Sequence, residues 1–218
     1  MDGEAFCCSW SGGKDSCLAL ARAAATGDRP ALLITLLTEE VQRSRSHGLR
    51  REVLAAQAAA MDVPLLTAAT SWDNYEATMI GLLRQAKDQG ISTAVFGDID
   101  IPRHRAWEEM VCAAAGLEAS LPLWQEDRHE LLRQFWRLGY ECRMVVARDG
   151  VVDPQLLGRV LDEPLARDLT AAGIDACGEN GEFHTLVTAG PLFSHALNLQ
   201  FGHRVLRDGC WFVDVARF

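Results

Sequence analysis

The sequence predicts an α/β protein: a parallel sheet with helices on both faces, followed by a smaller α+β part. Three observations predict it. Up to about residue 115, short apolar runs alternate with longer, alanine-rich mixed segments, the texture of strand–helix repeats in a parallel sheet. The run "ALLITLLT" (31–38) is continuously apolar, as strands covered on both faces are. After "LPLW" (121–124) the texture changes, and the last 40 residues are rich in strand-like segments.

The elements follow in order. "AFCCSW" (5–10) reads as a strand, and residues 15–26 as a helix closed by Gly27 and Pro30. The apolar strand at 31–38 leads to a helix near 49–60, a short strand "PLLTAA" (64–69) and a helix near 74–89. A strand at 92–97 and a helix near 105–115 complete the first part. The second part reads as a helix near 127–138, an alternating strand at 140–147, a short "LLGRVLD" segment and a helix near 163–171. The β-type stretches "GENGEFHTLV" and "CWFVDVARF" close the chain. No Gly-, Ser- or Pro-rich linker separates 1–122 from 123–218, so the two parts are expected to pack tightly.

Composition narrows the class. With 218 residues, 49% of them hydrophobic, the chain can bury a sizeable core. Its longest apolar stretch, "PALLITLL" (30–37), is too short to cross a bilayer, and the acidic start lacks a signal-peptide pattern, so a cytoplasmic protein with no membrane partner is expected. Seven scattered cysteines, never spaced C-x-x-C, read as reduced core residues rather than zinc ligands. A net charge of −9 argues against a nucleic-acid partner. The chain has two lysines, and one of them, Lys14, sits in the densest polar motif.

That motif is "SGGKDS" (11–16), placed where the first strand turns into the first helix. Ligands of parallel α/β sheets bind beyond the carboxyl ends of the strands. Adjacent glycines let successive N–H groups point at an anion, and the helix N-terminus favours negative charge. Ser11 and Ser16 add hydroxyls and Lys14 adds charge, while Asp15 makes sense beside phosphate with a bridging Mg²⁺. The spacing is not that of the common P-loop, G-x-x-x-x-G-K-[ST]. The plainer alternative is a helix cap, with Ser11 or Asp15 capping and Lys14 solvated.

The hexapeptide resembles the PP-loop of the N-type ATP pyrophosphatase superfamily. By that resemblance Ser11, Gly12, Gly13, Lys14, Asp15 and Ser16 grip the pyrophosphate end of ATP. Further segments, in order, are "GDI" (97–99), "WEEMVCAAAGL" (107–117), "LPLW", "LGRVLDE" (157–163) and "GENGEFHTLV" (178–187). Together they resemble the diphthine–ammonia ligase (diphthamide synthase, ATP-binding) family. The resemblance implies a HUP-type nucleotide-binding domain followed by a smaller substrate domain. It also implies a reaction: adenylation of a carboxylate by ATP, then displacement of AMP by ammonia to give an amide. ATP and Mg²⁺ are the implied cofactors, ammonium and a small-molecule or protein carboxylate the implied substrates. A homo-oligomer stays open.

The sequence departs from the family pattern at its acceptor end. The family's G-E-G-G-E-[FY]-E-T reads here Gly178-Glu179-Asn180-Gly181-Glu182-Phe183-His184-Thr185, with Asn180 for glycine and His184 for the last acid. Arg103, His104 and Arg105 replace a tyrosine–glutamine pair, and Trp107 stands where arginine is usual. The reaction type is therefore expected to carry over more securely than the identity of the acceptor, which need not be diphthine.

The remaining candidates follow from position. Glu179 and Glu182 are read as holding ammonium or a cationic group, with Glu182 or His184 as the base that deprotonates it; the bland alternative is a polar Asn-Gly turn. His47, in the basic "RSRSHGLRR" (43–51), and the strand-end Gly97 join the ATP site. Asp98 is a candidate for Mg²⁺ or substrate beside Asp15. Arg103, Arg105 and Glu109 extend the substrate site, and Trp10 and Trp124 are read as adenine platforms or as core. Two other readings keep the cradle: a thiolation-type adenylating enzyme, and a sensor that holds ATP or AMP without turnover.

Overall fold

The computed structural model describes residues 3–40, 43–45 and 47–217. Its first part is a five-stranded, all-parallel sheet: β1 (Ala5–Ser9), β2 (Arg29–Leu37), β3 (Leu65–Ala69), β4 (Thr93–Val95) and β5 (Glu118–Ser120), in the order β3-β2-β1-β4-β5. Between the strands run α1 (Lys14–Ala25), α2 (Arg51–Ala60), α3 (Tyr75–Asp88) and α4 (Pro102–Ala115). The two-residue period of β1 sends Phe6 and Cys8 to the face covered by α1 and α2, and Cys7 to the face covered by α3 and α4. Both faces are buried, which is why β2 is apolar at nearly every position.

The chain leaves β1 toward β2 and β3 and returns on the other side with β4. The carboxyl ends of β1 and β4 thus flank the point where strand order reverses, the crevice in which open α/β sheets bind ligands.

The second part begins with α5 (Arg128–Arg137), β6 (Glu141–Arg148), a 3₁₀ turn at Pro154–Leu156 and α6 (Glu163–Ala171). Strands β7 (Phe183–Ala189), β8 (Leu199–Arg207) and β9 (Cys210–Arg217) join β6 in an antiparallel sheet of order β7-β6-β9-β8. Asp127 caps α5 by accepting the Glu130 N–H at 2.9 Å, and Asp162 caps α6 through Leu165 at 2.9 Å. This sheet lies on the outer side of α1 and α2. One apolar cluster runs from Phe6 and Leu18 through Leu54 to Met144, Phe183 and Val187 without a break.

Polar links reinforce that junction. Asp214 of β9 accepts from Arg43 at 2.7 Å and from Arg50 at 3.0 Å; the Arg50 and Arg43 guanidiniums hold its carboxyl down to about 2. Two arginines of the basic segment 43–51 are therefore committed to the second sheet, while Arg45 donates to the Thr70 carbonyl. Six of the seven cysteines are buried, Cys210 is half-buried, and all are free, as their scatter suggested. Trp10 is core, 1% exposed. Among the described residues no helix is long and apolar enough to cross a membrane.

Candidate active site

Helix α1 starts one residue after the glycine pair, at Lys14. Gly12 sits at φ +83°, in the left-handed region that favours glycine, and a Cβ there would lie 2.8 Å from Gln57 Oε1. Gly13 occupies the N-cap position without a side-chain cap, so neither Ser11 nor Asp15 plays that part. Ser11 Oγ instead accepts the Gly13 N–H at 3.2 Å and pairs with Ser16 Oγ at 3.0 Å. The Lys14 N–H donates to Thr185 Oγ1 on β7 at 3.1 Å. Gly97, just past β4, presses on the first turn of α1: a Cβ on it would stand 2.7 Å from Asp15 C and Ser16 N. The positive end of the α1 dipole thus opens into the crevice between β1 and β4.

Lys14 is buried, and its ammonium meets Asp15 at 2.8 Å and Glu179 at 3.7 Å. Burial works against its charge, but the Asp15 and Glu179 carboxylates outweigh it and raise its pKa. Because the closer contact goes to Asp15, Glu179 is under-compensated. Burial first, and Asp15's charge next, push the Glu179 carboxyl up, with Lys14 and Arg128 pulling the other way.

His184, the second residue of β7, faces His47 with ring centroids 4.6 Å apart. Burial, then Lys14 and Arg148, bring His184 down to about 4; burial, His184 and Lys14 depress His47. Both imidazoles are neutral at pH 7. The turn that carries Glu179 is braced by Asp175, which accepts from the N–H groups of Cys177 (3.0 Å) and Glu179 (3.1 Å). Arg128 ties that same Asp175 at 2.6 Å to Asp100 at 2.7 Å, joining the turn to the loop after β4.

The cleft encloses about 880 Å³ and continues from the cradle toward α3 and α4. There Trp72 stacks on Tyr75 with centroids 5.4 Å apart, Trp107 meets Tyr75 tilted at 5.6 Å, and the Arg45 guanidinium covers Trp72 at 4.9 Å. Asp98 accepts from His104 Nδ1 at 2.6 Å. Against it lies Glu108, 3% exposed; burial, then the hydrogen bond to Asp98, push Glu108 up to about 10. That shift favours the neutral carboxylic acid, the form in which a buried Oε2 without a hydrogen-bond partner costs least.

The cleft brings together Ser11, Lys14, Asp15, Ser16, His47 and Gly97 with Asp98, Arg103, Gly178–Gly181, Phe183, His184 and Thr185. Gly12 and Gly13 shape its floor from behind. Glu182 does not border it: its carboxylate is taken up by the Asn180 N–H and amide, both at 3.0 Å, which closes the turn into β7. Arg105 and Glu109 pair with each other on the exposed side of α4 at 2.6 Å, and Arg105 covers Trp124. Sequence reasoning passed over Trp72, Tyr75 and Glu108. Trp72 and Tyr75 follow a strand on the ligand edge, a positional signal that was available; the partner of Glu108 emerges only in three dimensions.

Among the described residues no cluster of three His, Cys, Asp or Glu side chains forms a metal cage. The cleft does offer oxygen donors, Asp15 and Asp98, and Mg²⁺ is usually held by one or two carboxylates plus phosphate oxygens.

Fold and site together define a parallel α/β protein with a helix-N-terminal anion cradle at the switch point, closed by a second, antiparallel sheet. Residues 6–119 match the family model described as the diphthamide synthase N-terminal domain, and residues 127–217 the diphthamide synthase C-terminal domain. The chain belongs to the diphthamide synthase family. It is similar to a protein named diphthine–ammonia ligase from Rattus norvegicus, 26% identical over 231 residues, and to one of the same name from Homo sapiens, 26% identical over 235 residues. Each alignment covers 94% of this chain and 86% of the relative. A solved chain titled a predicted subunit of tRNA methyltransferase, from Methanocaldococcus jannaschii, superposes with a TM-score of 0.47 at 14% identity, covering 86% of this chain and 98% of that one.

Proposed function

We propose that this protein is an ATP-dependent amidoligase that adenylates a substrate carboxylate and transfers ammonia to it, giving an amide, AMP and pyrophosphate. The observation that carries the reading is the cradle: a glycine-built helix N-terminus with a buried lysine, at the switch point of a parallel sheet. Family membership and relatives named diphthine–ammonia ligase give the reaction class.

In this mechanism the first-turn N–H groups beyond that of Lys14, which Thr185 takes, hold the departing pyrophosphate with Ser11, and the Lys14 ammonium offsets charge that builds on it. Entry of a polyphosphate draws Lys14 away from Asp15 and Glu179 and leaves both carboxylates facing the cleft. Asp15, with Asp98 as the alternative ligand, would hold Mg²⁺, which supplies further charge neutralisation when bound. The acceptor carboxylate lies between the cradle and the Trp72–Tyr75–Trp107 wall, where proximity supplies much of the acceleration. Ammonium must lose a proton before attack. Glu179 suits that task best, because its raised pKa brings it toward working pH, whereas His184 is too weak a base alone. Glu182 serves the turn.

The acceptor is a carboxylate, and Asn180, His184 and Trp107 at the cleft leave room for one other than diphthine. ³¹P NMR of ATP, Mg²⁺ and ammonium with the protein and size-split lysate of its own host tests the reading. The expected result is AMP and pyrophosphate with one fraction and none in Asp15→Ala. Bound ATP without turnover in every fraction would overturn the ligase in favour of a nucleotide sensor.

A further inference from the structure

The cradle is held from behind by a residue that never meets the cleft. Gln57 on α2 is fully buried and does not border the cavity. Its Oε1 accepts from Trp10 Nε1 at 2.9 Å, and its Nε2 donates to the carbonyls of Gly12 at 3.0 Å and Val187 at 2.8 Å. The Val187 N–H donates to the same Gly12 oxygen at 2.9 Å. Two residues earlier on β7, Thr185 takes the Lys14 N–H.

These bonds act on the cradle through one peptide plane. The Gly12 carbonyl and the Gly13 N–H belong to a single planar, trans unit, so fixing the oxygen fixes the direction of the N–H. Gly12 itself, at φ +83°, has no side chain to hold that orientation. Gln57 and Val187 hold the oxygen side of the plane with two donors, while Ser11 Oγ accepts from its N–H side. Only an amide fits position 57, because the site needs one acceptor for Trp10 and two donors for two carbonyls. Glutamate would set a second acceptor against Gly12 and Val187, and leucine would leave both Nε2 contacts unmade.

We infer that Gln57 is a positioning residue of the nucleotide site, and that β7 of the second sheet is a working part of the phosphate cradle. The inference rests on the cradle reading above. It assigns the phosphate grip to three separated segments: the glycine loop, the middle of α2 and the centre of β7. Docking of the C-terminal sheet then sets affinity for the phosphates of ATP, and a ligand that shifts the 178–184 segment reaches the cradle through Thr185 and Val187.

The test measures ATP and adenosine binding to the full chain by calorimetry, in the unaltered protein, Gln57→Leu, Gln57→Glu and Trp10→Phe. Adenosine lacks the groups the cradle holds and so reports general damage. Gln57→Leu and Gln57→Glu are expected to weaken ATP about tenfold or more, the effect of one buried polar group left unpaired, with adenosine little changed. Trp10→Phe keeps the core aromatic and releases only Oε1, so a loss of roughly twofold to fivefold in ATP alone is expected. If the Gln57 variants do not fold, the ATP-to-adenosine ratio in Trp10→Phe decides. An unchanged ratio beside a wild type that binds ATP overturns the role of Gln57 alone. Failure of the unaltered protein to bind ATP overturns the cradle reading, and this inference with it.

Discussion

The two ends of the cleft are built from different materials. At the cradle the working groups are backbone amides and one buried lysine, placed by glycines that admit no Cβ and tied to α2 and β7 by hydrogen bonds. At the α3–α4 end the surface is side chains: three aromatics in contact, an acid–carboxylate pair and Arg103, which makes no ion pair among the described residues. Trp72 there is 67% exposed. Backbone geometry tolerates little substitution, whereas a wall of side chains can be exchanged residue by residue. Under the proposed function, the cradle end would fix what chemistry is done and the wall would decide on which molecule.

The largest effect that could break this contrast concerns Lys14. In Lys14→Met two neighbouring carboxylates lose their cation, and the protein is expected to lose about 3 kcal/mol in denaturant unfolding, since an unpaired buried charge is costly. Pyrophosphate release should fall by about two orders of magnitude, as when one preorganised stabiliser is removed. Equal turnover would show that the cradle works without charge.

Next comes Gly97→Ala. Its new methyl would meet backbone rather than a movable side chain, so overpacking of about 1–3 kcal/mol is expected, with ATP affinity reduced in step. A normal thermal midpoint would mean that the β4 loop yields, and that the cradle is softer than its contacts imply.

Protonation sharpens the comparison further. His184 titrates near 4 in the folded protein against an ordinary value near 6.5, so the unfolded chain binds the proton more readily between those pH values. Its contribution is present above about pH 6.5 and is lost as pH falls toward 4. Paired unfolding curves of wild type and His184→Gln should converge across that window and run parallel above it. A constant gap would mean that burial, with Lys14 and Arg148 beside it, does not depress His184.

The smallest effect on stability belongs to the wall. Trp72→Ala should change unfolding free energy by only about 0.5 kcal/mol, as exposed positions do, while altering which carboxylic acids support pyrophosphate release. A large loss of stability with unchanged acid preference would make Trp72 a structural residue and undo the division between the two ends.

The sequence made the helices and the longer strands legible because their apolar periods are set by burial on known faces. It did not show β5, whose Glu118-Ala119-Ser120 carries no apolar pattern and pairs only at the sheet edge. Nor did it single out β8, where a glycine and largely exposed side chains blur the alternation. At the site, "SGGKDS" was readable since its chemistry is local to six residues. Gln57 left a faint signal, a lone amide among alanines on a buried helix. The burial that neutralises Glu108, and the turn that consumes Glu182, depend on contacts far apart in the chain. Seen from the sequence, Glu182 and Glu179 looked equivalent; three positions along the chain part a carboxylate that faces the cleft from one that stitches a turn.

The unbroken apolar layer between α1, α2 and the second sheet has a further consequence. Neither half possesses an outer surface on that side: Leu18 and Leu54 on one part, Met144 and Val187 on the other, have only each other to exclude water. Heat should therefore melt the chain in one step. A gene cut between residues 122 and 123 should yield two fragments that are sticky apart and recover a nucleotide site only when mixed.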